Sequence, residues 1–259
     1  MSHAPSPTRR GDVPNPYWDI IAALPPDPVL GAYHQPGFLG GPRPFDPEHP
    51  EAPHRWSLAP VYAWAIPSPT DLEFIADVLA GRPLLDLGAG TGYWAHLLDA
   101  VGIDVLAVDR DPPHLAENTW HHGADGAPAP TYHPVHAGTE EVLDDHPDRV
   151  LFLCWPPYQW PFADIALARY TGDTFLFCGE PANGCTADEA FYDRLEAEWT
   201  ETAHSPGHVS WAGIHDHLIA YTRRAPRGRD YLRPTTTTPA RALYERLHAR
   251  LRAEHEETP

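Results

Sequence analysis

The chain has 259 residues, of which 42% are apolar and 21% charged, and these shares are typical of a water-soluble globular domain with appendages. Its formal net charge of −18 argues against duplex nucleic acid as the main partner, because phosphate binding requires a basic surface. No apolar run approaches the roughly 20 residues that span a bilayer, and no secretory signal is recognisable, so we expect a cytoplasmic protein with no membrane partner.

The N-terminal quarter of the chain shows little periodicity. Residues 1–16 are rich in proline, serine and arginine, a composition that is typical of disorder. Residues 17–67 are dense in proline, glycine and aromatic side chains, and we predict a short helix over residues 17–22. Since so irregular a segment cannot build its own core, we expect residues 17–67 to wrap over the following domain as a lid.

A regular α/β domain is predicted over residues 68–224. Its first helix begins at Ser68, which has the side chain of an N-cap, continues through Pro69 in the first turn, and ends at Gly81. Seven strands are predicted, the last two as a closing pair, at residues 83–87, 104–108, 131–135, 149–154, 174–178, 208–211 and 217–222. Further helices are predicted at residues 93–98, 161–170 and 187–199. Because strands alternate with helices, we expect a doubly wound, mostly parallel seven-stranded sheet covered on both faces.

Residues 225–259 are predicted to form an arginine-rich linker and a C-terminal helix. The helix runs from residue 240 to about 254, with an apolar stripe of leucines along one face. The arginine-rich stretch contains Arg223, Arg224, Arg227, Arg229 and Arg233. We interpret this stretch as a solvated loop, with binding of an acidic group as the alternative.

The most informative stretch is the predicted strand, turn and helix at residues 84–98. Asp86 precedes a turn with glycine at positions 88, 90 and 92, which allows the backbone to bend tightly and approach a ligand. The helix behind the turn offers free N–H groups to polar ligand atoms. Asp109 ends the next strand, where its carboxylate can accept hydrogen bonds from two ribose hydroxyls. A Gly-rich turn alone would also fit a dinucleotide site or a structural turn.

Residues 84–92 and 108–110 together resemble the first two motifs of the class I S-adenosylmethionine-dependent methyltransferases. The resemblance implies a Rossmann-like fold and S-adenosyl-L-methionine as the cofactor. It implies that Asp86 lies near the cofactor's amino group, that Asp109 binds the ribose and that Arg110 lies beside the adenine. It also implies that Gly88 and Gly90 adjoin the methionine part, and we assign Gly92 to the cofactor site with them. An NAD-binding site and a non-catalytic copy of the fold are the alternatives.

A third motif, Cys154-Trp155-Pro156-Pro157-Tyr158, follows the fourth strand. It resembles the Asn/Asp/Ser-Pro-Pro-Tyr/Phe motif of methyltransferases that act on nitrogen, in which the first side chain and a proline carbonyl accept hydrogen bonds from the target nitrogen. Trp155 departs from that pattern, because indole cannot accept a hydrogen bond. We assign Cys154 and Trp155 to the cofactor site and Tyr158 to the acceptor site, with a rigid Pro-Pro turn as the alternative.

The segment before the first helix contributes two further candidates. Tyr62 and Trp64 belong to a stretch that resembles a little-characterised branch of the same superfamily. Aromatic faces attract cations, so both side chains could cover a sulfonium, although a place in the core is an equal alternative.

Three residues are candidates for acid–base chemistry. Glu180 follows the fifth strand, and His215 and Asp216 precede the last one. A histidine beside an aspartate titrates near neutrality and could act as a general base for an acceptor that must lose a proton. The alternative is that His215 and Asp216 fix the turn between the last strands.

Metal chemistry is not predicted. Cys154, Cys178 and Cys185 are too few and too scattered for a disulfide framework, and no CxxC spacing occurs. The histidines at positions 121–122 and 215 and 217 lack an ordered set of partner ligands.

The sequence therefore favours an S-adenosylmethionine-dependent methyltransferase that acts on oxygen or nitrogen of a small metabolite or peptide natural product. A nitrogen methyltransferase of nucleic acid or protein is one alternative, and a non-catalytic cofactor-binding module is the other. The sequence does not predict the oligomeric state.

Overall fold

The structure is a computed structural model that describes residues 13–24, 32–33, 53, 55–115, 118–123, 126–211 and 213–224. The predicted C-terminal helix, most of the arginine-rich linker and residues 1–12 lie outside the described residues.

The helices and strands have the following bounds. The helices are α1 (Pro16–Ala23), α2 (Arg55–Leu58), α3 (Pro69–Leu79), α4 (Tyr93–Ala100), α5 (Phe162–Arg169) and α6 (Glu189–Glu198), and a 3₁₀ helix spans Glu140–Asp144. The strands are β1 (Ala32–Tyr33), β2 (Leu84–Leu87), β3 (Val105–Asp109), β4 (Val135–Ala137), β5 (Val150–Cys154), β6 (Thr174–Gly179), β7 (Trp199–His204), β8 (Ser210–Trp211) and β9 (His217–Arg223).

Seven of these strands form one sheet, in the order β4-β3-β2-β5-β6-β9-β7. The first five in that order pair in parallel, whereas β9 lies antiparallel between β6 and β7. The chain winds outward from β2 to β4 on one side and from β5 onward on the other, so the strand order reverses between β2 and β5. This arrangement confirms the predicted doubly wound, mostly parallel seven-stranded sheet. Ligands bind such sheets at the carboxyl ends of the strands beside this reversal.

Successive residues of the central strands point to opposite faces of the sheet and build two cores. Leu84 and Phe152 pack on the face that α1, α3 and α4 cover. Leu85 and Leu151 pack on the other face, with residues of α5 and α6. All four side chains are fully buried, which explains why the parallel strands read as continuous apolar runs rather than alternating ones.

Helix α3 begins and ends where the sequence predicts. The Ser68 hydroxyl accepts a hydrogen bond from the Asp71 N–H, and the Asp71 carboxylate accepts one from the Ser68 N–H, which completes a capping box. Ala80, in the left-handed conformation, is the C-cap, directly before Gly81.

The predicted short helix at residues 17–22 is confirmed as α1, which packs into the core rather than lying over it. Tyr17 and Ile21 are fully buried, and the indole N–H of Trp211 donates to the Tyr17 hydroxyl at 2.9 Å. Asn15, within the stretch expected to be disordered, caps α1, and its side-chain amide donates to the Pro67 carbonyl. The start of the lid segment is thus part of the domain's core.

The predicted closing strand pair is wrong. Strand β8 pairs with β1, and β9 pairs with β6 and with β7, a strand that the sequence analysis did not predict. Helix α6 ends one residue earlier than expected, because Trp199 turns into an extended backbone and buries its ring against Phe175. No glycine or proline marks this change from helix to strand.

The third predicted strand lies at residues 135–137 instead of 131–135. Pro134 has no N–H with which to join the hydrogen bonds of a sheet, so pairing with β3 begins after it, at Val135. In the part of the chain that the structure describes, no helix is long and apolar enough to cross a membrane.

Candidate functional site

A cavity of about 290 Å³ opens at the carboxyl ends of β2, β3 and β5. Gly88, Asp109 and Cys154, which end or follow these three strands, lie in its wall. Aromatic side chains dominate the rest of the lining, namely Trp56, Trp64, Trp120, Trp155, Tyr158, Trp160 and Phe162. The cavity lies beside the reversal of strand order, and doubly wound sheets bind their ligands at this point.

The Gly-rich turn and the end of β3 are joined through Asp109. One carboxylate oxygen of Asp109 accepts the Gly90 N–H at 2.8 Å, and the other accepts the Asp111 N–H at 2.9 Å. Burial raises the pKa of Asp109, and these two N–H groups partly oppose the rise. Each oxygen keeps a second lone pair, so the fixed carboxylate can still accept hydrogen bonds from hydroxyl groups in the cavity.

Asp86 lies behind the turn and is almost fully buried. Its Oδ2 atom has no hydrogen-bond partner, and burial, followed by the charge of Asp109, raises the pKa of Asp86 to about 7. Asp86 does not line the cavity itself. An unpartnered buried oxygen of this kind would be satisfied by a cationic or N–H donor group that reached it.

Gly90 requires glycine because the backbone there has a φ of 54° and His121 packs directly against it. A Cβ atom at residue 90 would lie 2.4 Å from His121 Nε2. The Nδ1 atom of His121 lies 3.1 Å from the Pro60 carbonyl oxygen, which can only accept, so the proton is on Nδ1 and Nε2 carries a lone pair. Burial lowers the pKa of His121 to about 4. His121 is thus a neutral imidazole in the cavity wall.

Gly92 is the N-cap of α4 and lies outside the cavity lining. A Cβ atom at residue 92 would lie 2.9 Å from a methyl group of Val135. Of the three glycines predicted to adjoin the cofactor, Gly88 therefore lines the cavity, while Gly90 and Gly92 permit close packing behind it.

Arg110 lies in the cavity wall with a fixed side chain. Its Nε donates to Asp111 Oδ2 at 2.6 Å, and its guanidinium lies 5.8 Å from the centre of the Trp160 ring. The arrangement leaves a flat, partly charged surface next to Asp109.

Trp155 occupies a strained position at the end of β5. Its φ of 51° is rare for a residue with a side chain, and its indole N–H donates to Asp216 Oδ2 at 2.8 Å. Burial raises the pKa of Asp216, but the imidazole of His208 and the donors around the carboxylate bring it below its usual value. The indole ring is thereby held in the cavity wall.

The Asp216 carboxylate faces His208 rather than the adjacent His215. Asp216 is buried and lies 3.5 Å from His208 Nε2, and His208 in turn contacts Asp71 through Nδ1 at 3.1 Å. Neither His215 nor Asp216 lines the cavity. The geometry matches the alternative, in which both residues fix the loop before β9.

Glu180 contacts two loops through its carboxylate. Its Oε1 accepts the backbone N–H of His215 at 2.9 Å, and its Oε2 accepts that of Cys185 at 2.7 Å. The carboxylate is buried, lies outside the cavity lining and ties two loops together at the end of β6.

The two aromatic candidates of the lid segment lie in different places. Trp64 lines the cavity, whereas Tyr62 stacks on Tyr17 at 5.1 Å and on Tyr132 at 5.6 Å between ring centres, outside the lining. Tyr62 is partly buried and packs against the core. Tyr158 lines the cavity with about half of its side chain exposed, as expected for a group at its mouth.

Arg55 and His121 are among the cavity residues that sequence reasoning missed as functional candidates. Arg55, from α2, and His121 both lie in the wall, although neither belongs to a recognisable motif. Adjacent histidines at 121 and 122 drew attention only as metal ligands. Among the described residues, the atoms of Cys178, His208 and Asp216 lie within 4.8 Å of one another, a grouping that the spacing of the sequence did not reveal.

Comparisons with known proteins give partial matches. No protein-family model and no curated protein sequence matches the chain. A proposed SAM-dependent methyltransferase from Streptococcus mutans is 13% identical, with 59% of this chain and 47% of that chain covered and a TM-score of 0.38. The CcbJ methyltransferase from Streptomyces caelestis is 18% identical, with 60% and 89% covered and a TM-score of 0.41. A variant of MtNAS in complex with S-adenosylmethionine is 16% identical, with 68% and 67% covered and a TM-score of 0.38.

The matched region spans about half the length of the first solved structures, 47% and 48%. At these identities the comparisons concern the fold.

Proposed function

We propose that the protein is an S-adenosylmethionine-dependent methyltransferase that acts on a small metabolite or a peptide natural product, at oxygen or nitrogen. The observation that carries the proposal is the Asp109 carboxylate, fixed by the Gly90 and Asp111 N–H groups in the wall of an aromatic cavity. A rigid carboxylate at the end of the strand after a Gly-rich turn is suited to hold a ribose.

The polar groups around the cavity fit the parts of this cofactor. Asp109 has free lone pairs for the ribose hydroxyls, and Arg110 with Trp160 offers a flat surface for a purine. The unpartnered Oδ2 of Asp86 would accept from the cofactor's ammonium group. When bound, S-adenosylmethionine supplies a methyl group on a sulfonium. The neutral thioether that departs is a good leaving group for in-line displacement.

The residues of the chain then have to position an acceptor and exclude water. Displacement requires the acceptor atom about 3 Å from the methyl carbon and in line with the departing sulfur. Trp155 is held in the wall by its bond to Asp216, and Tyr158 lies at the mouth, so both can bound a planar acceptor. Trp64 contributes a further aromatic face that favours a cation.

Methylation of nitrogen in nucleic acid or protein is less well supported. The carbonyl of Pro156 already accepts the Ala187 N–H at 3.0 Å, and the Trp155 side chain donates rather than accepts. Of the two groups that would position a target nitrogen, the Pro156 carbonyl is already shared with Ala187, and the Trp155 side chain cannot accept a hydrogen bond. The net charge of −18 weighs against nucleic acid as well.

Calorimetry with S-adenosylhomocysteine tests the proposal. Wild-type protein should bind it, and Asp109→Asn should bind at least tenfold more weakly at a temperature where urea denaturation shows that the variant is folded. Asp99→Asn, which changes an exposed carboxylate at the end of α4, is the matched control. Absence of binding by the wild-type protein would contradict the assignment of the cofactor, and undiminished binding by Asp109→Asn would contradict the assignment of the site.

Methyl transfer itself is detected by mass spectrometry. Extracts incubated with the enzyme and with methyl-labelled S-adenosylmethionine should contain a small molecule or peptide whose mass rises by one methyl group. Binding of S-adenosylhomocysteine without any such product across extracts would favour the non-catalytic module.

A further inference from the structure

Arg55 is a buried arginine in the wall of the cavity and is only 5% exposed. Three indole rings surround its guanidinium carbon, with ring centres at 4.3 Å for Trp155, 4.9 Å for Trp64 and 5.3 Å for Trp56. Aromatic faces attract a guanidinium and pack against its flat surface, so the rings fix the position of Arg55. They do not satisfy its N–H groups.

The Nε and Nη2 atoms of Arg55 are buried and have no hydrogen-bond partner. Leaving a buried donor unpaired costs about 1–3 kcal/mol, and more for a charged group. These two nitrogens form one edge of the guanidinium, and their N–H bonds are parallel. Such an edge matches the two oxygens of a carboxylate, which it binds through two charge-assisted hydrogen bonds.

The two carboxylates whose charges act on Arg55, Asp216 and Glu180, each contact other groups. Burial lowers the pKa of Arg55, and the charges of Asp216 and Glu180 oppose that effect from a distance. However, Asp216 accepts the Trp155 indole N–H through Oδ2 and faces His208 Nε2 at 3.5 Å through Oδ1. Glu180 accepts two backbone N–H groups. The charge of Arg55 is thus partly balanced, while its free edge has no acceptor within the described part of the chain.

We infer that Arg55 binds a carboxylate of the methyl acceptor, so that the acceptor is an organic acid with a planar, apolar body. The inference rests on the proposed function and names the class of its substrate. The Trp56, Trp64 and Trp155 rings provide the apolar contact, and the Arg55 edge fixes the orientation. The cofactor's own methionine carboxylate has the same chemistry, so the experiment must separate the two sources.

Two pairs of probes test the requirement for a carboxylate. Binding of 2-naphthoate and 2-naphthamide, and of benzoate and benzamide, is measured by calorimetry in the presence of S-adenosylhomocysteine. Wild-type protein should prefer the acid over its amide at least tenfold in one pair, and Arg55→Met should abolish that preference. Arg169→Met, which removes an arginine that pairs with Asp144 on the surface, is the matched control and should keep it. Absence of preference for both acids would overturn the inference.

A second comparison identifies the source of the carboxylate. S-Adenosylhomocysteine and 5′-deoxy-5′-methylthioadenosine share the adenosyl group, but the latter lacks the carboxylate. Arg55→Met should bind both as the wild-type protein does, which would also show that the variant is folded. A tenfold loss of affinity for S-adenosylhomocysteine alone would show that Arg55 holds the cofactor and would overturn the inference.

Failure of the inference is distinct from failure of the proposed function. If wild-type protein binds no S-adenosylhomocysteine, the proposed function fails first. If it binds S-adenosylhomocysteine but shows no preference for acids over amides, only the assignment of Arg55 to a carboxylate of the acceptor fails.

Discussion

Gly90 and His121 pack so closely that a methyl group on residue 90 would lie 2.4 Å from the imidazole Nε2. The contact joins the Gly-rich turn after β2 to a loop that follows β3, and the two residues are 31 positions apart along the chain. The glycine therefore serves two purposes: it permits the left-handed backbone of the turn, and it admits a neutral ring into the cavity wall.

Gly90→Ala should destabilise the protein by about 2–3 kcal/mol. Roughly 1 kcal/mol or more comes from the left-handed backbone, which disfavours a Cβ atom, and the rest from displacement of His121. Urea denaturation measures the change. Adding His121→Ala should remove the part of the destabilisation that comes from the clash with the ring, but not the part that comes from the backbone. The effects of the two substitutions on stability should therefore be non-additive. Strict additivity would show that the ring does not contact residue 90.

Asp86→Asn should change how stability depends on pH. Asp86 has a folded pKa of about 7, above its usual 3.8, because burial disfavours the charged form. Its neutral carboxyl contributes stability fully below pH 3.8, and that contribution is lost as the pH rises through 7. The variant should therefore be more stable than the wild-type protein at pH 8.5, by up to about 4 kcal/mol, with the difference vanishing near pH 4.

Urea denaturation of both proteins across this pH range measures the effect. Asp99→Asn, at an exposed position, should track the wild-type curve. A constant difference between Asp86→Asn and the wild-type protein at every pH would contradict the raised pKa.

The sequence predicts the sheet and one side of the site well because both depend on local signals. The apolar runs at β2, β5 and β6 predict buried strands, and the spacing of Gly88 and Gly90 marks the turn. Asp109 follows from its place at the end of the next strand. Each of these signals lies within a stretch of a few residues, so no knowledge of the tertiary structure is needed.

The opposite wall of the cavity could not be predicted in the same way. Arg55 lies in a four-residue helix, and His121 lies in a loop, so neither has a periodic pattern. Tyr62 and Trp64 are two residues apart, and only the folded chain shows that one joins the core and the other the cavity. Strand β7 was missed because residues 199–204 follow α6 without a helix-breaking residue.

Tyr62→Ala should destabilise the protein by about 2–4 kcal/mol, because the ring packs against Tyr17, Tyr93 and Tyr132. Tyr62→Phe keeps the ring and should change stability by less than about 1 kcal/mol. Denaturation with urea, combined with calorimetry on S-adenosylhomocysteine, separates core from cofactor roles. If Tyr62→Phe were stable but lost affinity for S-adenosylhomocysteine, the hydroxyl would act in the cavity after all.

Glu180→Gln should destabilise the protein by about 1–3 kcal/mol, whereas His215→Ala should change its stability by less than about 0.5 kcal/mol. Both carboxylate oxygens of Glu180 accept partly buried backbone N–H groups, and the single amide oxygen of glutamine can replace only one of them, so the other N–H loses its partner. His215 contributes to this contact through its backbone, which the alanine variant retains. Glu189→Gln, on the exposed start of α6, is the control for the loss of a charge.

The same variants discriminate between the structural role and the acid–base role. If Glu180 and His215 only fix loops, His215→Ala should transfer methyl groups at the wild-type rate with an unchanged pH profile. Glu180→Gln should be less stable than the wild-type protein, but at a temperature where it stays folded it should transfer methyl groups at the wild-type rate. A His215→Ala protein that is as stable as the wild type but at least tenfold slower would return His215 to the catalytic group, despite its place outside the cavity wall.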